Sequence, residues 1–202
     1  MNVTLLHYTP LEVADTAIGK CWDKPTPEGE PGNIDRIYRV GNKNKHASTL
    51  EHLSYNFDID GISRALLQEL ARHRMASYSV KSSRYTLKEL KNTTVVEDFL
   101  VFTGNEDVDM VSIDSLYITQ ELLQAGISND IVKYTLPEAY KTSLIWTINA
   151  RSLQNFLALR TSKAALWEIQ SLAYKVYKAI PNDHKFLFEE FLNDRHDTKG
   201  TK

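Results

Sequence analysis

The sequence predicts a single mixed α/β domain, and three observations carry that prediction. Short segments with strand character lie near the start, before the middle and late in the chain, and longer segments with helical period separate them. The composition is that of a globular protein: 202 residues, 42% hydrophobic and 25% charged, are enough for one sizeable core. The domain is expected to run over residues 1–194, with 195–202 as a disordered tail.

Val3 to Tyr8 reads as a strand, and Thr9-Pro10 opens a helix to about Lys20, in cap and first-turn positions. Trp22 to Gly32, broken by Pro25, Pro27, Gly29, Pro31 and Gly32, is a loop with an acidic, mobile tip. Asn33 to Val40 forms a short helix, and Gly41 to Asn44 turns the chain. Leu53, Tyr55, Phe57 and Ile59 alternate with Ser54, Asn56 and Asp58, the pattern of a half-buried strand. After Asp60-Gly61 the period becomes helical from Ile62 to about Arg74. Leu66, Leu67 and Leu70 form its apolar arc, and Glu69 and His73 flank that arc, placed to face protein or ligand. A Ser-rich loop follows. Thr86 to Asn105 mixes helical and apolar segments and yields no assignment. Val108 to Gln124 is a helix with Gly126 as its C-cap, and Ser128 caps a turn of helix from Asn129 to Tyr134. Thr142 to Ile148, rich in β-branched residues, is a strand. Helices are then expected over Arg151 to Arg160, Ser162 to Ile180 before Pro181, and His184 to Asn193.

Several classes are excluded early. No apolar run approaches the roughly 18–20 residues needed to span a bilayer. Met1-Asn2-Val3-Thr4 lacks the opening of a signal peptide, so a cytoplasmic protein is expected. The only cysteine, Cys21, rules out an intrachain disulfide, a Cys-based zinc site and a Cys-x-x-Cys redox pair; it is expected to be a packing residue. A formal net charge of −2 argues against the broad basic faces of a protein that binds nucleic-acid polymers or membranes.

Against that balance, positive charge is concentrated in one place. From Arg64 to Lys88 the chain carries Arg64, Arg72, Arg74, Lys81, Arg84 and Lys88 against one acid, Glu69. Guanidinium forks, the hydroxyls of Ser77, Ser79, Ser82 and Ser83 and loop N–H groups can converge there on an anion such as a phosphate. The plainer reading is a solvated helix end, whose cations suit the helix dipole. The Arg151 to Arg160 segment holds a second anomaly. With Arg151 at zero on a helical wheel, Leu153, Phe156 and Leu157 span about 140–240° and Arg160 falls at about 180°, in the middle of the apolar face. It either snorkels or forms a structural salt bridge, or it meets negative charge on a ligand. Arg151 and Asn155, nearly a turn apart, are available for a second ligand. His46 and His52 lack a third ligand at zinc spacing, so no metal is expected. Ser82 has no neighbouring base to make it a nucleophile, and no Gly-x-Gly-x-x-Gly or Walker loop is present.

Taken together, Arg72-His73-Arg74, seven residues, Ser82 and then Arg84-Tyr85 resemble the signature of the flavin-dependent thymidylate synthases. His46-x-Ser48-x-x-Glu51-His52 resembles the family's upstream block. Leu136-Pro137, Asn149-Ala150-Arg151-Ser152-Leu153, Asn155-Phe156-Leu157, Arg160 and Trp167-Glu168-Ile169 resemble its C-terminal blocks in the same order. The resemblance implies an α/β fold with a central, mostly antiparallel sheet flanked by helices, assembled as a homotetramer with active sites between subunits. It also implies reductive methylation of dUMP to dTMP, with FAD as redox carrier, 5,10-methylenetetrahydrofolate as carbon donor and NADPH as reductant.

By the same resemblance, His46, Ser48, Arg72, His73, Arg74, Val80, Asn149, Ala150, Arg151 and Asn155 would hold FAD. Glu69, Leu70, Ala71, Arg72, Val80, Ser82, Ser83, Arg84, Lys133 and Arg160 would hold dUMP, with Arg160 facing the uracil as the catalytic cation. The chain departs from the family pattern in places. Glu69 stands where Gln is common, and Ser79 and Val80 where an Asn and a Glu or Gln often precede the serine. Lys133 replaces a phosphate-binding arginine, keeping its charge but not its fork, and Leu166 replaces a common Gln. Two alternatives stay open at this level: a non-catalytic nucleotide-binding module, and a flavoprotein that oxidises NADPH without transferring carbon.

Overall fold

The computed structural model of the protein describes residues 1–24 and 32–193. The expected mobile loop tip and C-terminal tail lie outside the described residues. Four strands, β1 (Asn2–Tyr8), β2 (Ser54–Ser63), β3 (Ala76–Val80) and β4 (Lys141–Asn149), make one sheet in the order β1-β2-β4-β3. Every pairing is antiparallel. Eight α-helices accompany it among the described residues: α1 (Leu11–Cys21), α2 (Ile34–Ile37), α3 (Arg64–Leu70), α4 (Ser83–Asn92), α5 (Glu106–Gln124), α6 (Asn129–Val132), α7 (Ala150–Arg160) and α8 (Trp167–Ala179).

The sheet has one dry face, and alternation creates it. Tyr55, Phe57 and Ile59 of β2 lie opposite Ile148, Trp146 and Leu144 of β4, all buried. They meet the apolar sides of α1, α7 and α8 in the main core. On the other face stand half-buried groups such as Asn56, whose amide donates to Thr147 Oγ1 at 2.7 Å. A smaller core gathers Leu87 and Leu90 of α4, Leu116 and Leu123 of α5, Val132 and Tyr140.

Several elements differ from expectation. The helix expected from Ile62 begins only at Arg64, because Ile62 and Ser63 stay paired with Thr142 and Lys141 beyond a bulge after Asp60. Gly61, at φ +70, supplies the left-handed residue at that irregularity. The same helix stops at Leu70, so Arg72, His73 and Arg74 lie in a turn and not on its last turn. What read as a Ser-rich loop contains β3, in which Ala76, Tyr78 and Val80 alternate with Ser77 and Ser79 along an edge strand. Thr9 does not cap α1: its hydroxyl accepts from the Ser54 N–H at 3.1 Å, and Pro10 holds the cap position. The chain after α2 continues as a π-helical turn over Tyr38–Lys43, past the expected break at Gly41. There a Cβ would meet the Leu50 side chain at 2.9 Å, so the close approach requires glycine.

Helix α8 starts five residues late, at Trp167, and ends where Ile180 turns extended before Pro181. His184 to Asn193 forms two 3₁₀ turns, Asn182–Leu187 and Glu189–Phe191, and not an amphipathic α-helix. Here side-chain anchoring overrides helical period: Tyr55 Oη lies 2.7 Å from His184 Nδ1, and the Asn193 side chain donates to the Ala158 carbonyl. Cys21 is exposed at the end of α1, not packed as expected.

One buried carboxylate ties these pieces together. Glu168, in the first turn of α8, accepts from the Ser63 backbone N–H at 2.8 Å and from the Ser63 hydroxyl, while Ser63 Oγ accepts from the Leu66 N–H at 2.9 Å. The strand-to-helix corner that leads to the basic turn is thus capped by Ser63 and braced from α8. Glu168→Ala would leave those buried donors without their acceptor and lower stability by about 1–3 kcal/mol. A lower urea midpoint with an unchanged slope is the expected result.

Candidate functional site

The turn after α3 is held in place before it does anything else. Tyr78, on β3, donates its hydroxyl to the carbonyls of Leu70 (2.9 Å) and His73 (2.7 Å), which curls Arg72-His73-Arg74 against the strand. The turn's one buried side chain is His73, whose ring packs edge-on against Phe156 of α7 with centroids 5.0 Å apart. Arg72 and Arg74 stay exposed.

Arg160 ends α7 directly opposite. Its Nε donates to His73 Nε2 at 3.0 Å, one terminal nitrogen to the Glu69 carboxylate at 2.8 Å and the other to the Glu69 carbonyl at 3.1 Å. The arginine on the apolar face therefore makes a salt bridge inside the protein, and at 15% side-chain exposure it still borders open space. Accepting at Nε2 requires a neutral His73. Burial pushes its pKa down to about 4, and the cations of Arg160 and Arg72 act in the same direction against the opposing Glu69. The neutral ring keeps its proton at Nδ1.

Asn149 caps α7 at the other end, accepting from the Ser152 N–H at 2.9 Å. The opening turn of an 11-residue helix, the positive end of its dipole, thus faces the same space as Arg151. Arg151 in turn reaches across to Glu51 at 2.7 Å, so the His46-to-His52 segment and the Asn149-to-Asn155 segment meet through an ion pair.

These pieces line one cleft of about 1490 Å³. Its walls include Arg72, His73, Arg74, Asn149, Arg151, Asn155 and Arg160, drawn from two stretches far apart in the chain. Lys45, Ala47 and Glu51 supply a third wall, and the exposed His46 and Ser48 sit in the same segment. A smaller cleft of about 490 Å³ shares Arg160, Ala164 and Ala165 with it and contains Glu69, Gln68 and Glu138.

Other expected residues fall elsewhere. The side chains of Leu70 and Ala150 are wholly buried, and the Ala150 N–H is bonded to the Leu53 carbonyl at 2.8 Å, so neither side chain offers a surface to a ligand. Val80 ends β3, and Ser82, Ser83 and Arg84 lie just beyond it, at the far end of a strand whose five residues span about 16 Å at roughly 3.3 Å each. There Ser82 sits at the N-cap of α4 with its hydroxyl unused for capping, and Arg84 pairs with Asp130 at 2.8 Å. Lys133 follows α6, next to that pair in the chain, and Ala71 is exposed in the turn. Sequence reasoning missed Tyr78, the Glu51–Arg151 pair and the Ser162-to-Ala165 bend that floors the cleft. For Tyr78 a signal was present in the alternation of Ala76 to Val80.

A cleft with four guanidinium groups, a helix N-terminus and side-chain amides is chemically suited to an anion such as a nucleotide. Comparison with known proteins makes it more specific. Residues 4–182 match the family model described as thymidylate synthase complementing protein. The flavin-dependent thymidylate synthase of Wolinella succinogenes is 55% identical over 198 residues, covering 93% of this chain and 97% of that protein. The enzyme of the same name from Campylobacter jejuni is 55% identical over 203 residues, covering 96% and 98%. Among solved structures, Helicobacter pylori thymidylate synthase X with FAD and dUMP superposes with a TM-score of 0.89 at 48% identity, over 96% of this chain and all of that one. The chain belongs to the flavin-dependent thymidylate synthase family.

Neutral His73 carries a pH consequence. Its native pKa lies below the unfolded value of 6.5, so the unfolded chain binds more protons between pH 6.5 and about 4. The stability it contributes is complete above pH 6.5 and is lost as pH falls towards 4. Denaturant titrations at pH 7 and pH 5 should show a smaller acid loss in His73→Gln than in the unsubstituted protein.

Proposed function

We propose that the protein is a cytoplasmic thymidylate synthase that reductively methylates dUMP to dTMP, using FAD, 5,10-methylenetetrahydrofolate as carbon donor and NADPH as reductant. The observation that carries this reading is the single cleft in which Arg72, His73, Arg74, Asn149, Arg151, Asn155 and Arg160 assemble. Family membership, and the FAD and dUMP bound to the Helicobacter pylori relative, support it.

The residues present fit FAD by their chemistry. Arg72, Arg74, Arg151 and the α7 N-terminus suit a pyrophosphate, the Asn149 and Asn155 amides suit polar edges of a dinucleotide, and His46 and Ser48 border the opening. Bound FAD supplies the redox chemistry that reduces the transferred carbon. The chain's own contribution is positioning and charge. Arg160 faces the uracil and stabilises negative charge that develops on the ring as N3 gives up its proton, which makes C5 more nucleophilic without a covalent enzyme adduct. Exposed Cys21, distant in sequence from every one of these residues, has no part in that chemistry.

The phosphate of dUMP belongs at the second group: the hydroxyls of Ser82 and Ser83, the free N–H groups opening α4, Arg84 and Lys133. The length of β3 lies between that group and the turn that meets Arg160, and drawing the two from different chains would let one nucleotide touch both. This spacing supports a homotetramer with active sites between subunits.

Purified protein loaded with FAD is expected to bleach with NADPH in the absence of oxygen and to form dTMP when dUMP and methylenetetrahydrofolate are added. Flavin reduction without dTMP would leave an NADPH oxidase, and dUMP binding without flavin would leave a nucleotide-binding module. Arg160→Ala is expected to retain FAD and lose at least about tenfold in turnover, the lower end of what one charge-stabilising group contributes. Mixing inactive Arg160→Ala and Arg84→Ala subunits should restore activity at about one site in four on random reassembly; no recovery in verified mixed oligomers would rule out shared sites.

A further inference from the structure

Glu69 is the only acid between Arg64 and Lys88, and its carboxylate stands between two cations of the site. One oxygen lies 2.8 Å from Arg160 and the other 3.8 Å from Arg72. The Glu69 carbonyl takes a further Arg160 donor at 3.1 Å, and His73 takes a third at 3.0 Å. Three of the five guanidinium N–H groups are therefore committed within the protein, and two remain for a ligand. The Arg160 side chain is 15% exposed and that of Glu69 33%, so bulk water screens the pair only in part.

We propose that Glu69 is a positioning residue that fixes the Arg160 guanidinium at the junction of the two clefts and compensates part of its charge, so setting how readily a bound uracil ring ionises at N3. The inference rests on the reading of this cleft as the dUMP site. Arg160 and Arg72 without Glu69 would put two uncompensated charges beside the ring and stabilise its anion already in the resting complex. Glu69 withholds part of that stabilisation and so keeps the bound ring nearer its neutral form. The other groups facing Arg160 do not replace it. His73 is neutral, and Glu138, across the smaller cleft, has both oxygens 2.9 Å from the Gln68 amide nitrogen.

The test uses FAD-loaded enzyme and 5-fluoro-2′-deoxyuridine monophosphate, whose ring ionises nearer neutrality than uracil and changes its ultraviolet spectrum when it does. Bound probe is titrated in the unsubstituted protein, in Glu69→Gln, which keeps an oxygen acceptor for Arg160, and in Glu69→Asp, which keeps the charge. The N3 pKa is expected to fall by about one unit in Glu69→Gln, the lower end of the effect of one nearby charge, and to stay near the unsubstituted value in Glu69→Asp. An unchanged N3 pKa in Glu69→Gln, or equal shifts in both variants, would overturn the proposal. Failure of the unsubstituted protein to bind the probe would instead remove the nucleotide reading, and this inference with it.

Discussion

A guanidinium on the apolar face of a helix cannot be left without partners, and the site is built around satisfying Arg160. Its partners, Glu69 and His73, belong to the end of α3 and the turn beyond it. Meeting this requirement locks α7 against that turn and closes one side of the cleft. Burial beside the cation keeps His73 neutral, and a neutral ring is what Arg160 Nε requires as acceptor.

The supporting structure follows from that junction. α3 has to start where it does for Glu69 to reach Arg160, and its start is set by Ser63, capped onto Leu66 and braced by Glu168. The turn has to curl back, and Tyr78 holds its carbonyls. α7 has to present both ends to the same space, which an 11-residue helix following directly on β4 achieves, with Asn149 as its cap. Charge is handled economically: Glu51 meets Arg151, and Glu69 meets both Arg160 and Arg72, so a chain of net charge −2 keeps a local basic site whose repulsion is largely compensated at rest.

The division of the expected residues into two groups has a physical meaning. Arg72 and Ser82 are ten positions apart in sequence, and an extended β3 turns that spacing into distance instead of contact. Had the segment been the loop its serines suggested, both groups could have folded onto one ligand in one chain. As an edge strand it carries them to opposite ends.

Much was legible in the sequence, because it depended on local period or on side-chain chemistry. Alternation over Leu53 to Ile59 marked the central strand, β-branched residues marked β4, and Arg160 declared itself as a charge among Leu153, Phe156 and Leu157. Of the basic run, Arg72 and Arg74 line the cleft, and the ordered motifs marked the family. Where pairing or anchoring competed with period, the reading failed: Ile62 and Ser63 stayed in the sheet because β4 offered partners, and His184 to Asn193 took 3₁₀ form because buried hydrogen bonds held it. The sequence by itself determined which chemistry the protein carries, since that resides in residue type and order. Only the tertiary structure decided that Glu69 and His73 are the groups holding Arg160 and that Ser82 stands apart from it, because contacts across some 90 residues are set by packing and strand pairing, which no local pattern encodes.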